Sequence, residues 1–234
     1  MQPRIFLFLI DGMGSHFVKP MTSPFLHQHM IGTMQNVLPP WTCTNWITFL
    51  TGKTPHIHGV VNNEQVEEKN YVQPLTTICN DFGVQNCLLI SDWKSCRKLI
   101  DSSISFEYVK RDVIENSIDL WEKHSRPLFT IINFETLDHI AHKKGWGSKE
   151  YNQELKLIDQ RMQWFAKQIA EKTKNKFQIF VVSDHGGIEK EHDDNKKQIR
   201  SVPLIMIPRK ELQNLKLPGK TNQFRKFVKR VVFL

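Results

Sequence analysis

Short, wholly apolar runs alternate with longer amphipathic stretches along this chain. Ile5-Phe6-Leu7-Phe8-Leu9-Ile10, Cys87-Leu88-Leu89-Ile90 and Ile179-Phe180-Val181-Val182 show no polar alternation and are far shorter than a membrane span. Runs of that kind mark strands buried on both faces. The pattern predicts strands at 4–10, 87–90, 128–133, 177–182 and 202–207. It predicts helices at 22–30, 43–52, 73–82, 111–123, 148–173 and 222–231. In the longest helix Leu155, Ile158, Met162, Phe165 and Ile169 recur at helical spacing, and the last helix sets Phe224, Phe227, Val228 and Val231 on one face. Ser23-Pro24 reads as a cap and first helical residue. The polar stretches Asn62–Asn70 and Asp193–Arg200 read as surface loops.

Buried strands separated by helices imply an α/β fold, a mostly parallel sheet with helices on both faces. No repeat, linker or composition break divides residues 1–234, so one compact catalytic domain without a large inserted cap is expected. Sheets of this type place their sites at the carboxyl ends of the strands. Asp11 directly follows the first apolar run. Asp138 and His142 come just after Leu128-Phe129-Thr130-Ile131-Ile132, and Asp184-His185 ends the run at 179–182. If 138–142 is helical, its two polar residues share a face. His192 follows Gly186-Gly187, which let the backbone fold back.

Carboxylates and imidazoles without thiolates suit a site for two divalent ions, Zn²⁺ first, with Mn²⁺ or Fe as alternatives. Three carboxylates against two such ions leave a charge of about +1, which attracts a phosphoester anion. Thr42, polar between apolar segments, is the candidate nucleophile. Each residue also has a plainer reading: Asp11 as a turn residue, Asp138 as a helix cap, Asp159 as a helix-face acid. The joint placement of the six acids and histidines favours the metal site.

Hydrophobic content of 40% and charged content of 24% are ordinary for a globular chain. The net charge of +8 suits a phosphoester or nucleotide substrate, with nucleic acid a further option; much of the excess follows Arg209, where it could simply solvate a helix. Cys43, Cys79, Cys87 and Cys96 form no CxxC pair and read as reduced thiols. The apolar run after Arg4 is too short for a signal peptide and ends in Asp11-Gly12, so a cytoplasmic protein with no membrane segment is expected.

The segment Thr42-Cys43-Thr44-Asn45-Trp46-Ile47-Thr48-Phe49-Leu50-Thr51-Gly52 resembles the nucleophile segment of the alkaline phosphatase superfamily. The resemblance is to its nucleotide pyrophosphatase/phosphodiesterase branch, with Pro55 and His58-Gly59 matching a Pro-x-x-His-Gly continuation. Ile10-Asp11-Gly12, Asp138 through His142, and Ser183-Asp184-His185-Gly186-Gly187 resemble the superfamily's metal motifs in the same order. The likeness runs from residue 5 to about 207. It implies a three-layer α/β/α sandwich. It implies one ion held by Asp11, Thr42, Asp184 and His185, and a second by Asp138, His142 and His192. Thr42 would form a phospho-threonine that water clears, and Asn45 would donate its amide hydrogens to a phosphoryl oxygen.

The sequence departs from that branch in two places: His192 comes only seven residues after His185, and Thr44 stands where proline is common. Thr42 and Trp46 occupy the positions where sulfatases need Cys or Ser and Arg, which argues against sulfatase activity. With no evident arginine clamp, a monoanionic phosphodiester is favoured: a nucleotide, dinucleotide or cyclic dinucleotide. Trp41 and Trp46 either stack on the substrate or pack in the core. A phosphomonoesterase is the alternative enzyme. A non-catalytic nucleotide-binding domain is disfavoured because Thr42 and all the ligands are present.

Overall fold

The computed structural model describes residues 2–67, 77–193, 195–209 and 216–233. Seven strands form one sheet: β1 (Arg4–Ile10), β2 (Met30–Gln35), β3 (Cys87–Ser91), β4 (Ser105–Tyr108), β5 (Phe129–Phe134), β6 (Phe177–Val182) and β7 (Ser201–Ile207). Their spatial order is β2-β7-β6-β1-β5-β3-β4. Neighbours from β6 through β4 pair in parallel, and β7 alone runs against its neighbours β6 and β2. The helices are α1 (Pro24–His29), α2 (Thr42–Thr51), α3 (Pro55–His58), α4 (Glu64–Glu67), α5 (Ile78–Phe82), α6 (Val113–Lys123), α7 (Thr136–Lys144), α8 (Lys149–Thr173), α9 (Lys197–Arg200) and α10 (Phe224–Phe233).

Alternate residues of β1 face opposite layers, as strand geometry requires. Ile5, Leu7 and Leu9 pack with Trp46, Phe49, Phe224 and Phe227 of α2 and α10. Phe6, Phe8 and Ile10 pack with Trp121, Leu137, Leu155 and Phe165 of α6, α7 and α8. The Phe165 ring meets Phe6 and Phe8 edge-on at 5.2 and 5.0 Å. The sheet is therefore the middle of the three-layer sandwich expected. Each large side chain so buried contributes roughly 1.5–3 kcal/mol.

Two strands escaped the sequence pattern. β2 and β4 are the sheet edges and carry polar or half-exposed positions in place of an apolar run. The stretches 62–70 and 193–200 are not wholly loop: α4 and α9 are single turns, too short to show a period. Residues 68–70, Asp194 and the 73–76 part of one predicted helix lie outside the described residues. The start of α1 also differs. Ser23 stands at the cap position, but its hydroxyl bonds Lys19 instead. Buried Asp159 of α8 reaches across and accepts from Phe25 N and Leu26 N at 3.2 and 2.7 Å. Among the described residues no helix is long and apolar enough to cross a membrane.

Candidate active site

β6, β1 and β5 are adjacent and parallel, so their carboxyl ends lie side by side. Asp11 follows β1, Asp184-His185 follows β6, and α7 begins just after β5. α7 is helical through Asp138 and His142, four residues apart, and His142 Nε2 lies 3.4 Å from Asp138 Oδ2. His185 Nε2 lies 3.4 Å from Asp11 Oδ1 and 3.3 Å from Asp184 Oδ2. Asp11, Asp184 and His185 each bring a ligand atom within 4.8 Å of the others, and so do Asp138, His185 and His192. The His185 ring stacks on His192 at 3.8 Å, and His142 stands 5.1 Å from His192. His185 thus sits between the two groups, and His142, the most exposed of the histidines there, extends the second.

All three imidazoles are anchored the same way. Nδ1 of His142, His185 and His192 donates to the backbone carbonyls of Lys190, Gly186 and Pro40 at 2.8, 3.1 and 3.2 Å. That fixes the tautomer and leaves each Nε2 with its lone pair as the ligating atom. Asp11 Oδ1, Asp138 Oδ1, Asp184 Oδ2 and His185 Nε2 are buried and find no hydrogen-bond partner among the described residues. Unpaired buried carboxylate oxygens are costly, and divalent cations are the partners that this donor set fits.

Electrostatics agree. Burial, then the charges of Asp184 and Asp138, push Asp11 well above the usual carboxylate range. Burial pushes Asp138 up to about 7 and Asp184 up to about 6. Burial lowers His185 and His192 to about 3, so both are neutral and ready to ligate.

The wall behind these ligands is built on Gly12 and Trp146. Gly12 has φ +72°, and a Cβ there would fall 2.9 Å from Asp138 Oδ1. Its N–H donates to Asp184 Oδ1, and its carbonyl accepts from Trp146 Nε1 and Tyr151 Oη at 2.8 and 3.0 Å. The Trp146 indole lies edge-on to His142 and His192 at 5.2 and 5.9 Å. Gly187 leaves room for that indole: a Cβ at 187 would sit 2.2 Å from it. Gly187→Ala is expected to displace Trp146 and cut metal affinity by about 10–100-fold, as other changes behind a ligand shell do. Titration of the metal-free variant with Zn²⁺ checks this, and an unchanged affinity would refute the supporting role.

Thr42 opens α2 and is largely buried. It lines a cavity of about 440 Å³ together with Asp11, Asp138, His142 and His192. Trp41, Asn63 and Trp93 line the same cavity, as do Glu135 and Glu191, and no Lys or Arg does among the described residues.

Asn45 does not take the role expected of it. Its side chain is fully buried, with Oδ1 accepting from Val37 N at 3.0 Å and Nδ2 facing the carbonyls of Val37, Pro39 and Trp41. It pins the loop that precedes Thr42. Asn63 is the amide that reaches the cavity. Its Oδ1 accepts from Cys43 N at 2.9 Å, in the first turn of α2, which leaves the Nδ2 hydrogens as donors.

The chain returns to that point because Gly52 ends α2 in a left-handed conformation and His58 clamps the next turn. His58 Nδ1 accepts from Val60 N at 3.2 Å, so its Nε2–H donates to Thr48 Oγ1 at 3.0 Å. Burial lowers His58 to about 4. A folded value below the unfolded 6.5 means that the unfolded chain binds the extra proton. The His58 contribution is therefore complete above pH 6.5 and lost as pH falls towards 4. Relative to wild type, His58→Gln is expected to flatten the acid side of the melting-temperature profile, by about 1 kcal/mol after allowance for its half-buried position. Parallel profiles for the two proteins would count against the clamp.

Sequence pattern could not single out Asn63, one polar residue in an Asn-Asn-Glu-Gln stretch, or Trp93 and Trp146. Trp46 belongs to the core, beside Phe49, and does not reach the cavity. Trp41 does, with its ring centre 5.7 Å from that of His192 in an edge-on arrangement.

A mostly parallel sandwich with acids and imidazoles gathered at three strand ends is the alkaline phosphatase type of hydrolase fold. The chain belongs to the type I phosphodiesterase/nucleotide pyrophosphatase family, whose model matches residues 5–81 and 77–203. The family is metal-dependent. Murine ectonucleotide pyrophosphatase/phosphodiesterase 5 has a similar fold, with a TM-score of 0.63 at 18% identity over 78% of this chain. The same murine protein, as an inactive threonine-to-alanine variant in complex with AMP, matches at a TM-score of 0.63 and 17% identity over 79% of this chain. In both comparisons the chain spans 57% of the murine one. No curated protein matches the sequence.

Proposed function

We propose that this chain is a two-metal phosphodiesterase that hydrolyses a nucleotide-type phosphodiester through a phospho-threonine intermediate. The observation that carries the reading is the set of four buried, unpartnered ligand atoms on Asp11, Asp138, Asp184 and His185, beside the cavity that Thr42 lines. Asp11, Asp184, His185 and Thr42 would hold one divalent ion, and Asp138, His142 and His192 the other. Bound there, the ions would supply Lewis-acid stabilisation of the attacking and leaving oxygens.

The Thr42 Oγ attacks phosphorus as its proton passes to solvent water; the Oγ–P bond forms, the P–O bond to the leaving group breaks, and the departing alkoxide takes up a proton from water. Water then attacks the phospho-threonine and returns Thr42. Asn63 Nδ2 donates to a non-bridging phosphoryl oxygen as charge grows there. Trp41 and Trp93 offer flat apolar surface for a base or sugar. The family match and the AMP complex of the similar murine protein support nucleotide substrates.

The lack of Lys and Arg around the cavity among the described residues favours a diester, with one charge at phosphorus, over a monoester dianion. Turnover of thymidine 5′-(p-nitrophenyl phosphate) against p-nitrophenyl phosphate, with Zn²⁺ present, tests this. The diester is expected to exceed the monoester in kcat/KM by at least about tenfold, or 1.4 kcal/mol. The reverse order would make the protein a monoesterase. No turnover of either would end the hydrolase reading.

A further inference from the structure

The positive charge of the chain has no part in the cavity just described. Residues 209–234 carry eight of its basic residues and one acid, nearly the whole net charge of +8. The fold gathers much of that charge around a second cavity, of about 1020 Å³, lined by Lys53, Lys216, Arg225, Lys226, Lys229 and Arg230. No carboxylate lines it among the described residues.

The basic groups come from three separate segments: the turn after α2, the stretch entering the last helix, and α10 itself. Arg225 and Lys229 are partly neutralised by Asp81, which accepts from them at 2.8 and 3.1 Å. Lys53, Lys216, Lys226 and Arg230 are exposed and make no ion pair among the described residues. The groove opens at the Thr51–Gly52 end of α2, and Thr42 is at the other end. Ten helical residues separate the two ends by roughly 15 Å.

We propose that this groove is a second binding site, for the phosphate backbone of single-stranded nucleic acid. Its shape favours a strand over a membrane. The cations come from three segments around a concavity, where a chain of phosphates can meet several of them, whereas a flat lipid surface would meet only the outermost. The apolar face of α10 is also already used: Phe224, Phe227 and Val228 are buried in the core, so the helix has no apolar face left to insert in lipid. Among the described residues no aromatic ring stands exposed in the groove for bases to stack on, since Phe227 is 3% exposed. Binding is therefore electrostatic and indifferent to sequence. Four unpaired cations predict about four phosphate contacts and a slope of log K against log salt near −3.

The test is fluorescence anisotropy of a labelled oligothymidylate of about 20 nucleotides with the full chain in EDTA, which prevents turnover. Binding at low salt with that slope is expected. The triple variant Lys53→Glu/Lys226→Glu/Arg230→Glu should weaken it by at least about tenfold. It should leave the melting temperature and the hydrolysis of a small chromogenic diester unchanged. Lys149→Glu/Lys156→Glu/Lys167→Glu changes the net charge equally on α8, in the opposite layer, and should bind nearly as wild type. Equal losses in both triple variants would show that net charge alone is responsible and overturn the site. So would absence of binding at about 50 mM salt. Binding of phosphatidylserine vesicles in place of the oligonucleotide would overturn the choice of ligand.

Discussion

Thr42→Ala should abolish diester hydrolysis while the protein still folds and still binds metal. Loss of a nucleophile that acts as one unit with its activating groups costs far more than loss of a contact, so a fall in kcat of at least about 10³-fold is expected. The fold should not notice. Thr42 is the first residue of α2, and the cap position before it is filled by Trp41 without a side-chain cap bond. The loop leading into α2 is held by Asn45, not by Thr42. Two measurements belong together: turnover of the chromogenic diester and metal content after gel filtration. Loss of turnover with metal retained is the expected result. Thr42→Ser should keep part of the activity, because the hydroxyl survives, and acid-stable phosphate on the protein during turnover should map to residue 42. Activity near wild type in Thr42→Ala would remove the phospho-threonine from the mechanism.

Asn63→Asp separates two roles in the same way. Its Oδ1 meets the N-terminus of α2 and its amide faces the cavity, so Asn63→Asp, which keeps the acceptor and loses the donor, should lower kcat with little loss of stability.

What could be read from the chain alone divides along physical lines. The central strands were legible because β1, β3, β5 and β6 are buried on both faces and are therefore predominantly apolar. The edge strands β2 and β4 were not, because an edge tolerates Gly, Thr, Gln, Ser and Glu. Long helices announced themselves by period, and single turns such as α4 and α9 had no room to. The acids at strand ends were legible for a topological reason: parallel strands deliver whatever follows them to one place. Asn63 was not, since it comes from a turn whose return path depends on the His58–Thr48 contact. Asn45 misled because an amide three residues after the nucleophile can face either the substrate or its own loop, and only the carbonyls at 37–41 decide which.

Removal of the metal should lower the melting temperature sharply, and the cause can be separated from a general loss of contacts. Three carboxylates are held near the ends of three strands, each with one oxygen that no N–H or O–H among the described residues satisfies. Burial opposes the ionisation of all three, and the charge of Asp184 adds to the upward shifts of Asp11 and Asp138. Cations at the site remove both penalties and bind only the folded chain. At a free concentration 1,000 times the dissociation constant, such binding adds about 4 kcal/mol. For a chain of this size that is a rise of roughly 8–16 °C. Scanning calorimetry of the EDTA-stripped and the Zn²⁺-loaded protein measures it directly. Asp184→Asn carries the sharper expectation, because its effect should change sign between the two states. Without metal, the substitution removes a buried carboxylate whose charge also pushes Asp11 and Asp138 upward, and should leave the protein as stable as wild type or more so. With metal, it deletes a ligand and should lose most of the gain from loading. A carboxylate that merely held the loop after β6 through Gly12 N–H would be destabilising in both states when changed, so equal losses with and without metal would refute the metal role of Asp184.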